Sequence, residues 1–245
     1  FLNAFLGNAG TEAPVVYVSA GIELRQVNGH GDGHDEEERH EEYDAGENEA
    51  SHEGDTNEEA DEHTGIDPHT WTSPLNVVIW VDNIAAALSA LDPNHAVDYT
   101  AAATDYKTRL EEADVWIEEQ VARIAPEDRK LVTDHTVLGY FADRYGFEQV
   151  GTIIPSFSTA AQPSAQEIRQ LYDAIHEHGV KAIFVGMTVS PTVAERLAED
   201  AGIQLVRLYT GSLGGPGSGV ETYLDYLRYN VSAIVEALAG EPADD

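Results

Sequence analysis

The sequence predicts an α/β protein: an open, mainly parallel sheet covered by helices. Three observations carry that expectation. From Lys130 onward, short β-branched and apolar runs alternate with longer runs of helical period, the pattern of βα units on a parallel sheet. Near the start, Pro14-Val15-Val16-Tyr17-Val18-Ser19 has the texture of a buried strand. Between them, residues 95–124 form one helical pattern long enough to act as a strut joining two domains.

Taken in order, Phe1-Leu2-Asn3-Ala4-Phe5-Leu6-Gly7 reads as the last turns of an amphipathic helix stopped by Gly7. The chain does not begin with Met, so an upstream portion is expected and the lack of a signal peptide carries no weight. The strand at 14–19 comes next. Residues 28–66 then form an acidic run rich in Gly, Glu, Asp and Asn with almost no large apolar side chains. Such a composition cannot offset the entropy of ordering, which predicts a disordered loop, and a loop this long inside a domain is more often functional than accidental. Leu75, Val78, Ile79, Val81, Ile84, Ala85 and Leu88 place a helix over residues 74–91, closed by Asp92-Pro93-Asn94. The long helix at 95–124 stops before Pro126. Strands are then expected at 130–133, 148–154, 182–185 and 205–208. Helices are expected at 137–145, 164–178, 191–201 and 219–238. The glycine-rich stretch 211–219 lacks the Lys-Ser/Thr of a phosphate loop and reads as a flexible connection. Ligands of such folds sit beyond the carboxyl ends of the strands.

The charge balance bounds the partners. Asp+Glu 45 against Lys+Arg 13 gives a formal charge of -32 over 245 residues, so nucleic acid is not an expected partner. Lysine occurs only as Lys107, Lys130 and Lys181. Surface positions that usually take lysine carry Glu, Asp, Thr or Gln instead, which suits a high-salt, halophilic source where screening relieves self-repulsion. With no cysteine, neither a disulfide framework nor a thiolate metal site is possible. No apolar stretch reaches the roughly 20 residues needed to cross a bilayer.

Metal chemistry must therefore rest on imidazole and carboxylate. His69 follows Asp67-Pro68 and precedes Trp71 and Pro74, a stiff junction that suits a metal ligand; the bland reading is a solvent-facing loop histidine. His135 follows Leu131-Val132-Thr133-Asp134 and is expected to begin a helix, which places it at the carboxyl end of a strand; the bland reading is a capping or buried histidine. His30, His34, His40, His52 and His63 punctuate the acidic run and suit weak, exchangeable metal binding, unless they only solvate a linker. His176 and His178 precede Gly179, where an imidazolium favours the helix dipole, and His95 reads as surface. No Gly-x-Ser-x-Gly elbow, Walker-type loop or His-Glu-x-x-His occurs, so no catalytic residue is expected.

These residues resemble a family: the zinc- and manganese-type solute-binding proteins that feed ABC importers. The resemblance runs from the Phe1-Leu2-Asn3 helix through Asp67-Pro68-His69-Thr70-Trp71-Thr72-Ser73-Pro74 and Thr133-Asp134-His135-Thr136-Val137-Leu138-Gly139-Tyr140-Phe141. It continues through Gln162-Pro163-Ser164, Ala182-Ile183-Phe184-Val185 and Tyr209-Thr210-Gly211-Ser212-Leu213 to Thr222-Tyr223-Leu224-Asp225-Tyr226-Leu227-Arg228-Tyr229-Asn230. It implies two α/β lobes of parallel sheet joined by one long linking helix, with a metal ion in the cleft between them. On that pattern residues 1–97 are an incomplete amino-terminal lobe, 98–125 the linking helix and 126–245 the carboxyl-terminal lobe. His69 matches the ligand after Asp-Pro and His135 the ligand of the His-x-x-x-Gly-Tyr-Phe motif. The acidic, histidine-rich loop is a mark of the zinc-importing branch, and an imidazole-rich site suits Zn2+ better than Mn2+.

The earliest family ligand would lie upstream of Phe1. The frequent aspartate ligand is Gly211 here, and many members have Glu-Pro where this chain has Gly186-Met187. The implied protein is a monomeric, non-enzymatic, extracytoplasmic receptor, lipid-anchored by the absent upstream segment, that passes zinc or another divalent ion to a membrane permease. Both imidazoles must be neutral to ligate, so affinity is expected to fall below about pH 6.5. Two other classes stay open: a metallohydrolase using the two histidines with carboxylates such as Asp134, and a surface adhesin or metal buffer working through the loop alone.

Overall fold

The computed structural model describes residues 14–27, 65–155 and 162–240. The strand expected at 14–19 does not form. Val15, Val16 and Tyr17 are exposed, and the carbonyls of Val18 and Ala20 accept hydrogen bonds from Asn83 Nδ2 at 2.8 and 2.9 Å. A buried strand needs a ladder partner and covered faces; a helix side chain takes the place of a ladder here. Among the described residues the first strand is β1 (Gln26–Val27), which pairs antiparallel with β2 (Gly65–Ile66). Residues 65 and 66, assigned to the loop by the sequence, therefore close its stem. The expected helix at 1–7 and the rest of the acidic segment lie outside the described residues.

Helix α1 (Pro74–Leu91) spans the predicted range, with Pro at its first position and Asp92 closing it, as proline's fixed φ and missing N–H favour. Only Pro74 and Val77 of α1 are buried. Among the described residues it is the one helix long and apolar enough to be a weak bilayer-spanning candidate, although no such stretch was expected from the sequence. One side packs on α2 (Ala96–Val121), tied by the ion pair of Lys107 and Asp82 at 2.6 Å. Helix α2 stops before the predicted end, in a turn at residues 122–124, and sends Leu110, Ile117 and Val121 into the core.

The sheet follows in four βα steps. Strands β3 (Lys130–Thr133), β4 (Glu148–Thr152), β5 (Ala182–Gly186) and β6 (Gln204–Leu208) alternate with helices α3 (Gly139–Tyr145), α4 (Ala165–His178), α5 (Thr192–Ala201) and α6 (Tyr223–Leu238). All four strands are parallel, in the order β4-β3-β5-β6. Because side chains alternate across a strand, Leu131, Ala182 and Phe184 enter one core with α2, α3 and α6, while Val132, Ile183 and Val185 enter the other with α4 and α5. The expected parallel sheet covered by helices is thus present. From β3 the chain crosses first to β4 on one side and then to β5 on the other, so the strand order reverses beside β3. That reversal opens a crevice at the carboxyl ends of β3 and β5.

Two helix starts differ from the sequence reading. Helix α3 begins at Gly139, not at Val137, because the Val137 N–H turns back to the His135 carbonyl at 2.8 Å. His135 therefore stands in the strand-to-helix turn and does not begin the helix. Helix α6 begins at Tyr223, where the Thr222 hydroxyl accepts from the Asp225 N–H at 3.2 Å, a capping bond that the glycine-rich stretch before it cannot supply.

Candidate metal centre

His135 is delivered by β3. The Asp134 N–H donates to the Phe184 carbonyl on β5 at 3.1 Å, and its carbonyl accepts from Ile154 at 2.8 Å. The Asp134 side chain extends these ties, Oδ2 accepting from the Gly186 N–H at 2.9 Å. Glycine is needed at 186 for this approach: a Cβ there would collide with the Thr210 hydroxyl and lie 3.2 Å from Asp134 Oδ2. The other oxygen, Oδ1, accepts from both the His135 N–H (2.8 Å) and the ring Nδ1 (2.7 Å).

His69 is held by the same device on a different element. Asp67 Oδ1 accepts from the His69 N–H at 2.9 Å and from its ring Nδ1 at 2.8 Å. The three-residue turn Thr70–Thr72 follows. Within it, Trp71 Nε1 donates to the Thr210 carbonyl at 2.9 Å, and Tyr223 Oη donates to the Trp71 carbonyl at 2.8 Å. These bonds fasten the His69 turn to the far end of the chain. The His69 and His135 rings stand edge to face with centroids 5.2 Å apart, and Trp71 lies 5.2 Å from His69 on another side.

Both imidazoles are nearly buried, at 5% and 6% exposure, over carboxylates that are 0% (Asp67) and 2% (Asp134) exposed. With Nδ1–H committed to a carboxylate, each ring is fixed as the tautomer whose lone pair is on Nε2. The bland reading of His69 as a solvent-facing histidine fails on this geometry. What the arrangement can do is bring two carboxylate-oriented imidazoles side by side as ligands for a divalent metal. Among the described residues no group of three or more His, Cys, Asp or Glu could hold a metal, so the pair is a partial donor set. Gly211 is exposed, with open space where a side chain would project.

The remaining candidates stand apart from this pair. His30, His34, His40, His52 and His63 lie outside the described residues. His95 is exposed beside Asp92 at 2.7 Å, and His178, in the last turn of α4, pairs with Glu148 at 3.1 Å, as their bland readings predicted. The sequence reading missed the orienting roles of Asp67 and Asp134. A signal was available: an acid one or two positions before each histidine of interest.

A model of the family described as ZnuA, zinc-uptake complex component A, periplasmic, matches residues 1–237. The chain belongs to this family. The manganese-binding lipoprotein MntA of Halalkalibacterium halodurans is 33% identical over 170 residues, 69% of this chain and 56% of MntA. Among solved structures, a manganese-bound variant of the periplasmic metal-binding protein of Candidatus Liberibacter asiaticus superposes with a TM-score of 0.71 at 26% identity, over 92% of this chain and 72% of that one. The periplasmic zinc-binding protein TroA of Treponema pallidum gives 0.65 at 26% identity, over 71% and 64%. The chain spans about half the length of the curated relatives it matches. This chain itself carries the two carboxylate-backed histidines and glycine at 186 and 211.

Proposed function

We propose that this chain is the metal-capturing part of an extracytoplasmic, lipid-anchored receptor that works as a monomer and passes a divalent ion, zinc foremost, to an ABC import permease. The observation that carries this reading is the pair of buried imidazoles, His69 and His135, each fixed by a carboxylate through Nδ1 and facing the other from distant parts of the chain. The preference for zinc follows from the donor chemistry. Oδ1 of each nearby aspartate already orients its histidine, and positions 186 and 211 carry no side chain. A nitrogen-rich site suits zinc and its softer neighbours, whereas manganese favours carboxylate oxygen. MntA and TroA, one named for manganese and one for zinc, frame the two outcomes. No covalent chemistry belongs to this reading.

The test is a competition titration of the whole chain with Zn2+ and Mn2+, repeated on His69→Ala and His135→Ala. Zinc should bind at least about 100-fold more tightly than manganese. Each alanine should cost more than the roughly 10–100-fold typical of losing an outer partner. Unchanged zinc affinity in the double variant would remove both histidines from the site. The histidines of the acidic segment are assigned a weak, auxiliary capture role, so deleting residues 28–62 should leave tight binding in place; its loss would favour a buffering protein. The acidic surface is read as adaptation to high salt.

A further inference from the structure

Arg25 stands at the meeting point of the two halves of the site. Its carbonyl accepts from the Asp67 N–H at 2.9 Å, extending the β1–β2 ladder by one step. Its guanidinium Nη1 lies 3.5 Å from Asp67 Oδ2, the carboxylate oxygen not engaged with His69, and its Nε donates to Asp143 Oδ2 on α3 at 2.9 Å. The Arg25 N–H donates to Tyr140 Oη at 3.0 Å, and that hydroxyl donates to the Asp67 carbonyl at 3.2 Å. Gly139 forms the floor: a Cβ there would come within 2.5 Å of Asp67 Oδ2 and 2.6 Å of Arg25 Nη1. Gly139, Tyr140 and Asp143 all belong to α3, which follows the turn bearing His135.

Asp67 is fully buried, and among the described residues its ion-pair partners are His69 and Arg25. A buried carboxylate needs a compensating partner, and the guanidinium beside Oδ2, with the Arg25 carbonyl on the Asp67 N–H, holds Asp67 in place. We propose that Arg25 is a positioning residue for metal capture: acting through Asp67, it fixes His69, and through Asp143 and Tyr140 it locks that histidine in register with His135. This rests on the reading of His69 and His135 as the ligands. Because the guanidinium hydrogen-bonds Asp143 through Nε while Nη1 lies 3.5 Å from Asp67 Oδ2, it spans two carboxylates on different elements, a reach that a single ammonium reproduces only in part.

The experiment is a double-mutant cycle on the whole chain, read by zinc competition titration and by the visible absorption of the Co2+-loaded protein. Arg25→Gln should lower zinc affinity about 10–100-fold and alter the Co2+ bands, with Arg25→Lys recovering part of the loss. In a His69→Ala background the same Arg25→Gln change should cost less than about threefold, since its route to the metal is already gone. Asp143→Asn, at an exposed position, keeps the fold and should lose about two- to fivefold, which decides the matter even where Arg25→Gln does not fold. An Arg25→Gln loss as large without His69 as with it, or full affinity with unchanged Co2+ bands in both Arg25→Gln and Asp143→Asn, overturns the proposal. Failure of the parent chain itself to bind metal through His69 and His135 overturns the underlying reading instead.

Discussion

At the scale of single residues, the carboxylates behind the histidines decide more than the histidines alone. Asp134 accepts three hydrogen bonds, two on Oδ1 from His135 and one on Oδ2 from Gly186. An asparagine has one accepting oxygen and one donating NH2, so whichever way it turns, a donor faces a donor. Asp134→Asn should therefore lower zinc affinity about 10–100-fold. Leaving a buried donor unsatisfied should also reduce stability by about 1–3 kcal/mol. Competition titration and urea unfolding of the metal-free protein check the two effects separately. Equal affinity and stability in the variant would show that the carboxylate charge does not orient His135. His69 and His135 were legible in the sequence because each sits at a recognisable junction, Asp-Pro before one and a strand end before the other. Arg25 was not legible. Its partners Asp67, Tyr140 and Asp143 are 42 to 118 positions away, and no local pattern announces a contact of that reach.

At the scale of elements, the strands and helices after Lys130 were readable because period-2 and period-3.6 patterns alternate cleanly there. The segment at 14–19 misled for a physical reason. Its β-branched texture describes what a buried strand would need, and burial is decided by neighbours that the local sequence does not contain. Helix α3 shows how one element is fixed from outside. Asp114, buried on α2, accepts from Arg144 Nε at 3.1 Å and from Tyr145 Oη at 2.7 Å, both on α3. Burial, and next the hydrogen bond to Asp114, push the Tyr145 phenol far above its usual range, so it stays a donor across ordinary pH. Asp114→Ala strands that buried donor and leaves Arg144 with Glu118 alone among the ion pairs described for it. The expected loss is about 1–3 kcal/mol, seen as a lower urea midpoint with an unchanged slope. A midpoint equal to that of the parent chain would mean that apolar packing alone holds α3 against α2. The same clamp stands between α2 and the helix that carries Gly139, Tyr140 and Asp143, so a loosened α3 should also weaken metal binding, though less than Asp134→Asn does.

At the scale of the whole molecule, the formal charge of -32 acts on every folded contact at once. Exposed acids line the helices, among them Glu111, Glu112, Glu118 and Glu119 on α2 and Glu195, Glu199 and Asp200 on α5, with few cations to answer them. Repulsion between such charges disfavours the compact state. Its range is set by salt, about 10 Å at 0.1 M and about 3 Å at 1 M. The apolar cores on the two sheet faces are screened from this effect, so salt should raise stability without changing the fold. Heating the chain in KCl from 0.1 to 2 M should raise the unfolding midpoint by at least about 5 °C. At roughly 2–4 °C per kcal/mol for a domain of this size, that corresponds to a gain of about 1–3 kcal/mol. Screening predicts that most of the rise comes below about 1 M, where the Debye length shrinks fastest. A rise that continued linearly to 2 M, and grew further with sulfate at equal ionic strength, would instead reflect salt exclusion from apolar surface. A midpoint that stayed flat or fell would remove salt adaptation as the reason for the acidic surface, leaving the charge to be explained by the cation this chain is proposed to attract.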